Sequence, residues 1–411
     1  MSDGPAAPTG ADLLVRGIGR LLPMTAEPVT SAALVVRDGR IAWSGAERDL
    51  PAASGDLPEM DAGGRCVVPG FVDAHTHLVY GGSRREEFEA RLAGVRYDGG
   101  GIRTTVAATR EATDDDLRAS AAGRARTALR HGTTTLEIKT GYGLTPADEM
   151  RMLDVIAWLG HTLPLRVEAT YLGAHVLPAG RDRAAYVDEV VGTLPEAVAR
   201  GARWCDVFCD EGVFTLEETR RILTAARAAG LGLRMHAEEL AHTGAARLAA
   251  ETVCASADHL EHVTHEDAAG MAAAGVVGVL LPTVTLSLRS QAWGQASVLR
   301  EAGVELALAT DCNPGTSWCE SMPYAIQLAC LAQGLSVAEA FRAATLAAAH
   351  SLRRDDVGHL GIGAYGDLAV LEAEHEADTV AHLGAPAVRS TVVGGRLVAE
   401  GFAADGAADW G

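Results

Sequence analysis

Lysine is almost absent: the chain of 411 residues has one, Lys139, and its other basic side chains are arginines. Basic residues are outnumbered, 35 against 54 acidic ones, for a formal net charge of −19. Such a chain repels phosphate backbones and anionic lipid, which excludes nucleic-acid and membrane-surface binding as its main task. Salt screens distant charge over roughly 8–10 Å, so a local cationic pocket for a small anionic substrate is not excluded. CxxC spacing is missing as well. The seven cysteines, Cys66, Cys205, Cys209, Cys254, Cys312, Cys319 and Cys330, form an odd set that reads as reduced cytosolic thiols. No stretch approaches the roughly 20 uncharged apolar residues of a membrane span. The opening MSDGPAAPTG lacks the basic and apolar regions of a secretion signal, so a cytoplasmic location is expected. Gly99-Gly100-Gly101 lacks the GxGxxG and GKS/T contexts, which argues against a phosphate cradle.

What is present is the material of a large core, with 48% hydrophobic and 22% charged residues. The two ends have matching β character. SAALVVRDGRIAWSG, with a turn at Asp38-Gly39, is echoed by STVVGGRLVAEG, with a turn at Gly394-Gly395. Between them, eight strand-like runs alternate with stretches of helical period such as LEETRRILTAARAAG. The runs are VVPGFVDAHTH, GTTTLEIKTGYG, LRVEATYLGAH, CDVFCDEG, GLRMHAEE, SADHLEHV, VVGVLLPTVTL and ELALATDCNPG. The pattern predicts an α/β fold: a (β/α)8 TIM barrel over residues 67–360, with a small β-sandwich domain built from both termini, 1–66 and 361–411.

The sharpest local signal is Asp73-Ala74-His75-Thr76-His77 at the end of the first barrel strand. Alternation along a strand turns His75 and His77 the same way, and two imidazoles sharing one target suit a borderline divalent ion. Later strands end in titratable residues too: His175, His236 and Glu239, His259, and Asp311. Barrel active sites form at that rim, and burying so many uncompensated imidazoles and carboxylates there is costly without a metal. His262 and His265 fall in the following loop and helix start, where solvated histidines are ordinary.

In their order along the chain, PGFVDAHTH, HAEE, SADHL and ATDCNPG resemble the amidohydrolase superfamily over nearly the whole length. The resemblance implies one divalent ion, Zn(II) or Fe(II/III), held by His75, His77, His236 and Asp311. Two-metal members use a carboxylated lysine, usually on strand four. CDVFCDEG has none, so one metal is implied, and Lys139 reads as a structural residue or as one that supports the ligands from behind. YGGSR, GTTTLEIKTGYGL, YLGAHVLP, DVFCDEGVFT and ATDCNPGTS resemble the branch that opens the imidazolone ring in histidine breakdown. That resemblance makes Glu239, His259 and Asp311 catalytic. It places Arg84, Tyr97, Tyr142, His175, Glu239, Asn313, Gly315 and Thr316 around an anionic substrate, and it implies a homodimer. AGVRYDGGGIRTT is shorter than that branch usually has between its tyrosine and the triple glycine. The rival readings are a cytosine or guanine deaminase-like aminohydrolase and a non-catalytic barrel kept for binding.

Overall fold

The structure is a computed structural model, and it describes residues 10–95 and 100–400. The chain begins with β1 (Leu13–Leu21), β2 (Val29–Arg37), β3 (Arg40–Ala46), β4 (Glu59–Asp61) and β5 (Cys66–Pro69). Next come β6 (Phe71–Asp73), β7 (Thr133–Lys139), β8 (Arg166–Ala174), β9 (Trp204–Cys209), β10 (Gly232–Ala237), β11 (Ser256–His259), β12 (Val277–Leu280) and β13 (Leu306–Leu308). The last strands are β14 (Leu368–Leu371), β15 (Val388–Val393) and β16 (Arg396–Glu400).

Strands β6 to β13 neighbour one another in sequence order and run parallel, which gives the expected (β/α)8 barrel. Every residue of β7 is buried, as a parallel strand covered on both faces requires. Helices of the expected kind follow the strands. Asp114–Arg130 and Leu216–Ala228 both open with capping boxes, Thr113 with Asp116 and Thr215 with Glu218. The first and last barrel strands meet beyond their C-terminal ends. There the N–H of Asp311 donates to the carbonyl of His75 (3.0 Å), and that of His77 to the carbonyl of Cys312 (2.9 Å). The closing seam of the barrel therefore runs through three of the residues singled out as metal ligands.

The remaining strands form a second sheet from both termini, in the order β16-β15-β14-β5-β1-β2-β3, with β4 beside β1. Its hairpins turn where the sequence predicts. Asp38 and Gly39 have φ of 49° and 77°, and Gly394 and Gly395 have 56° and 77°, the left-handed pairs that two-residue hairpins need. The run VVPGFVDAHTH splits between the two sheets: Cys66–Pro69 pairs with β1 and β14, and Phe71–Asp73 enters the barrel. Gly70 makes the crossing possible, since a Cβ there would fall 2.2 Å from Thr134 Oγ1. Among the described residues no helix is long and apolar enough to cross a membrane.

A buried ion pair joins the sheets. At the start of β8, Arg166 donates Nε to Asp367 Oδ2 (2.6 Å) and an NH2 to Oδ1 (3.0 Å), and the N–H of Gly394 donates to the same carboxylate (2.7 Å). The guanidinium lies over the Tyr365 ring, 3.2 Å from its centre. Asp367→Ala strands that cation in the interior, and the expected cost is about 3–5 kcal/mol. Its urea midpoint should fall accordingly, while Arg166→Met with Asp367→Leu should recover most of the loss. A single variant with a wild-type midpoint would show that the pair is not holding the sheets together.

Candidate active site

The alternation of the first strand continues past Asp73, and it turns His75 and His77 toward the barrel mouth. His236 lies on β10. Asp311 follows β13 with φ of 47°, and Thr310 before it is anchored by Asp73, which accepts from its N–H (3.0 Å) and hydroxyl (2.6 Å). These elements bring the expected ligands together. Nε2 of His75 and of His77 lie 3.5 and 3.4 Å from Asp311 Oδ1, and the His75 and His236 rings are 4.5 Å apart. One donor atom each from His75, His77 and Asp311 fall within 4.8 Å of one another, as do those of His75, His236 and His259. His75 Nε2 and Asp311 Oδ1 are buried with no hydrogen-bond partner among the described residues. Burial, reinforced by Glu239, pushes the Asp311 carboxyl well above the ordinary range. A divalent cation among these atoms removes both costs, so the donor set fits one.

The imidazoles are aimed from behind. His75 Nδ1 donates to Asp258 Oδ2 (2.7 Å) and His236 Nδ1 to Asp206 Oδ1 (3.0 Å), which leaves each Nε2 lone pair for the metal. Lys139 stands behind these aspartates. It is completely buried, with Nζ 2.9 Å from Glu137, 2.8 Å from Asp206 and 4.0 Å from Asp258. Burial alone would lower its pKa, but Asp206 and Glu137 raise it, and the lysine stays charged. Arg234 flanks Asp258 from the other side at 3.1 Å and donates to the Ala74 carbonyl (2.8 Å). Asp206, Asp258 and Arg234 were not among the sequence candidates, although acidic residues inside otherwise apolar strands were the available signal.

Glu239 reaches the same space because the turn after β10 is clamped twice. Glu238, with φ of 58°, swings its carboxylate into the N-terminus of the helix Ala245–Glu251 and accepts from the N–H groups of Thr243 (2.9 Å), Gly244 (3.0 Å) and Ala246 (3.2 Å). Asp210 accepts from the N–H groups of Glu239 (2.8 Å), Leu240 (2.9 Å) and Ala241 (3.2 Å). Burial and then Asp210 push the Glu239 carboxyl up to about 8. His259 Nε2 lies 3.6 Å from Glu239 Oε2.

A cavity of about 890 Å³ opens over these groups, lined by His77, His236, Glu239, His259 and Asp311 and by Arg84, Tyr142, His175, Asn313 and Thr316. His175 donates Nδ1 to the Gly141 carbonyl (2.9 Å), and burial, with His236 near it, lowers it to about 3, so it is neutral. Tyr142 stands 5.8 Å from His77 and 5.3 Å from His175, ring to ring. Arg84, 6% exposed, holds Glu87 through two hydrogen bonds, 2.9 and 2.7 Å. Gly315 makes room for that guanidinium, since a Cβ there would fall 2.1 Å from NH1. Asn313 staples its own loop: it donates to Thr316 Oγ1 and the Asp311 carbonyl and accepts from the N–H groups of Gly315 and Thr316. Tyr97 lies outside the described residues. Arg103, Arg110, Arg181 and Arg183 also line the cavity and carried no sequence signal. His265 is exposed, as expected.

A sequence profile of the Amidohydrolase family matches residues 66–398. The chain is 46% identical over 372 residues to an imidazolonepropionase of Streptomyces avermitilis, covering 90% of this chain and 87% of that one. It is 45% identical over 395 residues to an imidazolonepropionase of Mycolicibacterium smegmatis, covering 94% and 97%. Among solved structures, the fold is similar to atrazine chlorohydrolase TrzN from Arthrobacter aurescens TC1 complexed with zinc (TM-score 0.73, 18% identity, 94% of this chain and 95% of that one). An adenosine deaminase from Xanthomonas campestris with bound zinc gives a TM-score of 0.71 at 19% identity, covering 95% and 93%. The two structures speak for the barrel alone, whereas identity near one half along almost the whole sequence places the chain in the amidohydrolase family, among the imidazolonepropionases.

Proposed function

We propose that the chain hydrolyses 4-imidazolone-5-propanoate to N-formimino-L-glutamate in histidine degradation, using one divalent ion held by His75, His77, His236 and Asp311. Two groups of donors that share His75, one with His77 and Asp311 and one with His236, meet beside Glu239 under a cavity with a buried arginine in its wall, and this arrangement carries the reading. Bound there, a divalent ion makes hydroxide available near neutral pH and polarises a carbonyl. Zinc and iron both suit three imidazoles and a carboxylate, and metal analysis of the isolated protein decides between them.

In this reading Glu239 takes the proton of the attacking water and delivers it to the ring nitrogen that departs as the C–N bond breaks. Burial, which raises the Glu239 carboxyl, favours its taking up the proton of the attacking water. His259 donates to the oxygen that gains charge at the former ring carbonyl. Tyr142, His175 and Thr316 shape the pocket around the ring, and Asn313 keeps the loop of Thr316 in place. Freshly generated imidazolonepropionate should lose its ultraviolet absorbance with the purified protein and keep it once a chelator has stripped the metal. Release of ammonia in the first turnover instead would mark a deaminase. A cytosolic homodimer accompanies the proposal. The free state of all seven cysteines supports the compartment, and sedimentation tests the dimer.

Arg84 is the proposed partner of the substrate carboxylate. Glu87 fixes the guanidinium rather than leaving it loose, and a planar donor array suits a carboxylate in a way lysine cannot reproduce. Arg84→Met should lower kcat/KM for the propionate at least about tenfold, or about 1.4 kcal/mol. An analogue with a neutral amide in place of the carboxylate should be treated alike by both enzymes. Equal sensitivity of the two substrates would assign Arg84 to support of the loop with Glu87.

A further inference from the structure

Strand β11 ends on His259 with φ of 82°, and Leu260 follows with φ of 66°. Two successive side chains in the left-handed region cost on the order of 1–3 kcal/mol each, and such strain persists only where the surroundings enforce it. Here the turn brings the carboxyl of Glu261 back toward the ring of His259. Glu261 Oε2 lies 4.0 Å from His259 Nδ1. Both atoms are buried, and neither has a hydrogen-bond partner among the described residues. The rest of Glu261 is fixed: Thr285 donates its hydroxyl to Oε1 (3.3 Å) and Gln295 donates Nε2 to the backbone carbonyl (3.1 Å). Leaving two buried polar atoms unpaired is costly, and roughly 1 Å of side-chain movement brings them to hydrogen-bond distance.

Building on the ring-opening reading of the site, we infer that Glu261 is the positioning residue of His259. It donates its carboxyl proton to Nδ1 and so holds the imidazole as the Nε2–H tautomer. The direction follows from the chemistry of the ring. In a neutral imidazole one nitrogen donates and the other accepts, so a donor N–H at Nε2 requires an acceptor at Nδ1. Only the protonated acid supplies the matching donor. Burial, with the charge of Glu239 adding to it, pushes the Glu261 carboxyl well above the ordinary range, in agreement with a retained proton. On the far side of the ring, Nε2 faces Glu239 Oε2 at 3.6 Å, which aims its N–H into the cavity where the oxyanion would form.

The experiment compares Glu261→Gln with Glu261→Leu in the metal-loaded enzyme. Glutamine keeps a donor of the same length, so kcat should stay within about threefold of wild type. Leucine removes it, and kcat should fall at least about tenfold with KM within about twofold and metal content unchanged, since a misaimed oxyanion donor weakens the transition state alone. Nitrogen-15 shifts of His259 in the zinc-loaded protein should show the proton on Nε2 in wild type and in the glutamine variant. A glutamine variant as slow as the leucine one would overturn the proposal, because the anionic carboxylate would then be the working form. So would a leucine variant at wild-type speed, or a proton on Nδ1 in wild type. The nitrogen shifts need no substrate and no second variant. Failure of wild type to consume imidazolonepropionate would therefore sink the ring-opening reading and leave the tautomer assignment decided on its own.

Discussion

Alanine in place of His236 or Asp311 should remove the metal and the activity together. His75 shares one group of donors with His77 and Asp311 and another with His236, and among the described residues His75 Nε2 and Asp311 Oδ1 have no hydrogen-bond partner, so the deletion of one donor costs both geometry and charge balance. Asp311 carries the larger share of that balance, being the sole carboxylate of the set. Occupancy should drop below about a tenth of wild type, because even an outer partner of a ligand is worth 10–100-fold in affinity. That comparison can be made directly with Asp258→Asn, which weakens the grip on His75 Nδ1 and leaves every donor in place. It should bind metal about 10–100-fold more weakly than wild type and recover activity in excess metal. Full occupancy in both alanine variants would mean that the ligands have been misassigned.

Glu239→Gln should behave in the opposite way, keeping metal and substrate while kcat falls by about 10²–10⁴. The amide has the shape of the acid and can still accept from neighbours, but it cannot take a proton from water and return it to nitrogen. The backbone clamp by Asp210 does not involve the Glu239 side chain, so the turn should hold its form in the variant. Turnover within a few-fold of wild type, with metal at full occupancy, would remove Glu239 from the reaction.

The parts of this molecule that sequence can disclose are those written in short-range periodicity. His75 and His77 are legible because a two-residue spacing on a strand has one geometric meaning, and Asp38-Gly39 and Gly394-Gly395 are legible because few residues tolerate positive φ. Partnerships across the barrel are a different matter. Nothing local says that Asp258 on β11 turns to His75 beyond β6, 183 positions away, or that Asp206 on β9 turns to His236 on β10. The run Arg84-Arg85-Glu86-Glu87 offers two acids for Arg84, and only the helix that starts at Arg85 selects Glu87, three positions on. Gly70 hides a change of sheet inside what reads as one strand, because its reason is the crowding of Thr134 from another strand. Glu261 is illegible in the sequence for a similar reason: its approach to His259 depends on two backbone angles that no propensity scale favours.

Lys139 is wholly buried and has no counterpart in the sequence, so the folded protein offers no ε-amino group to reagents in solution. Amine-directed dyes and crosslinkers therefore leave the side chains of the folded barrel unmarked. Acylation at Lys139 itself requires the barrel to open and Glu137 and Asp206 to let go. The slow appearance of a label on Lys139 therefore counts opening events at the heart of the barrel, a clock for global unfolding that the native chain already contains.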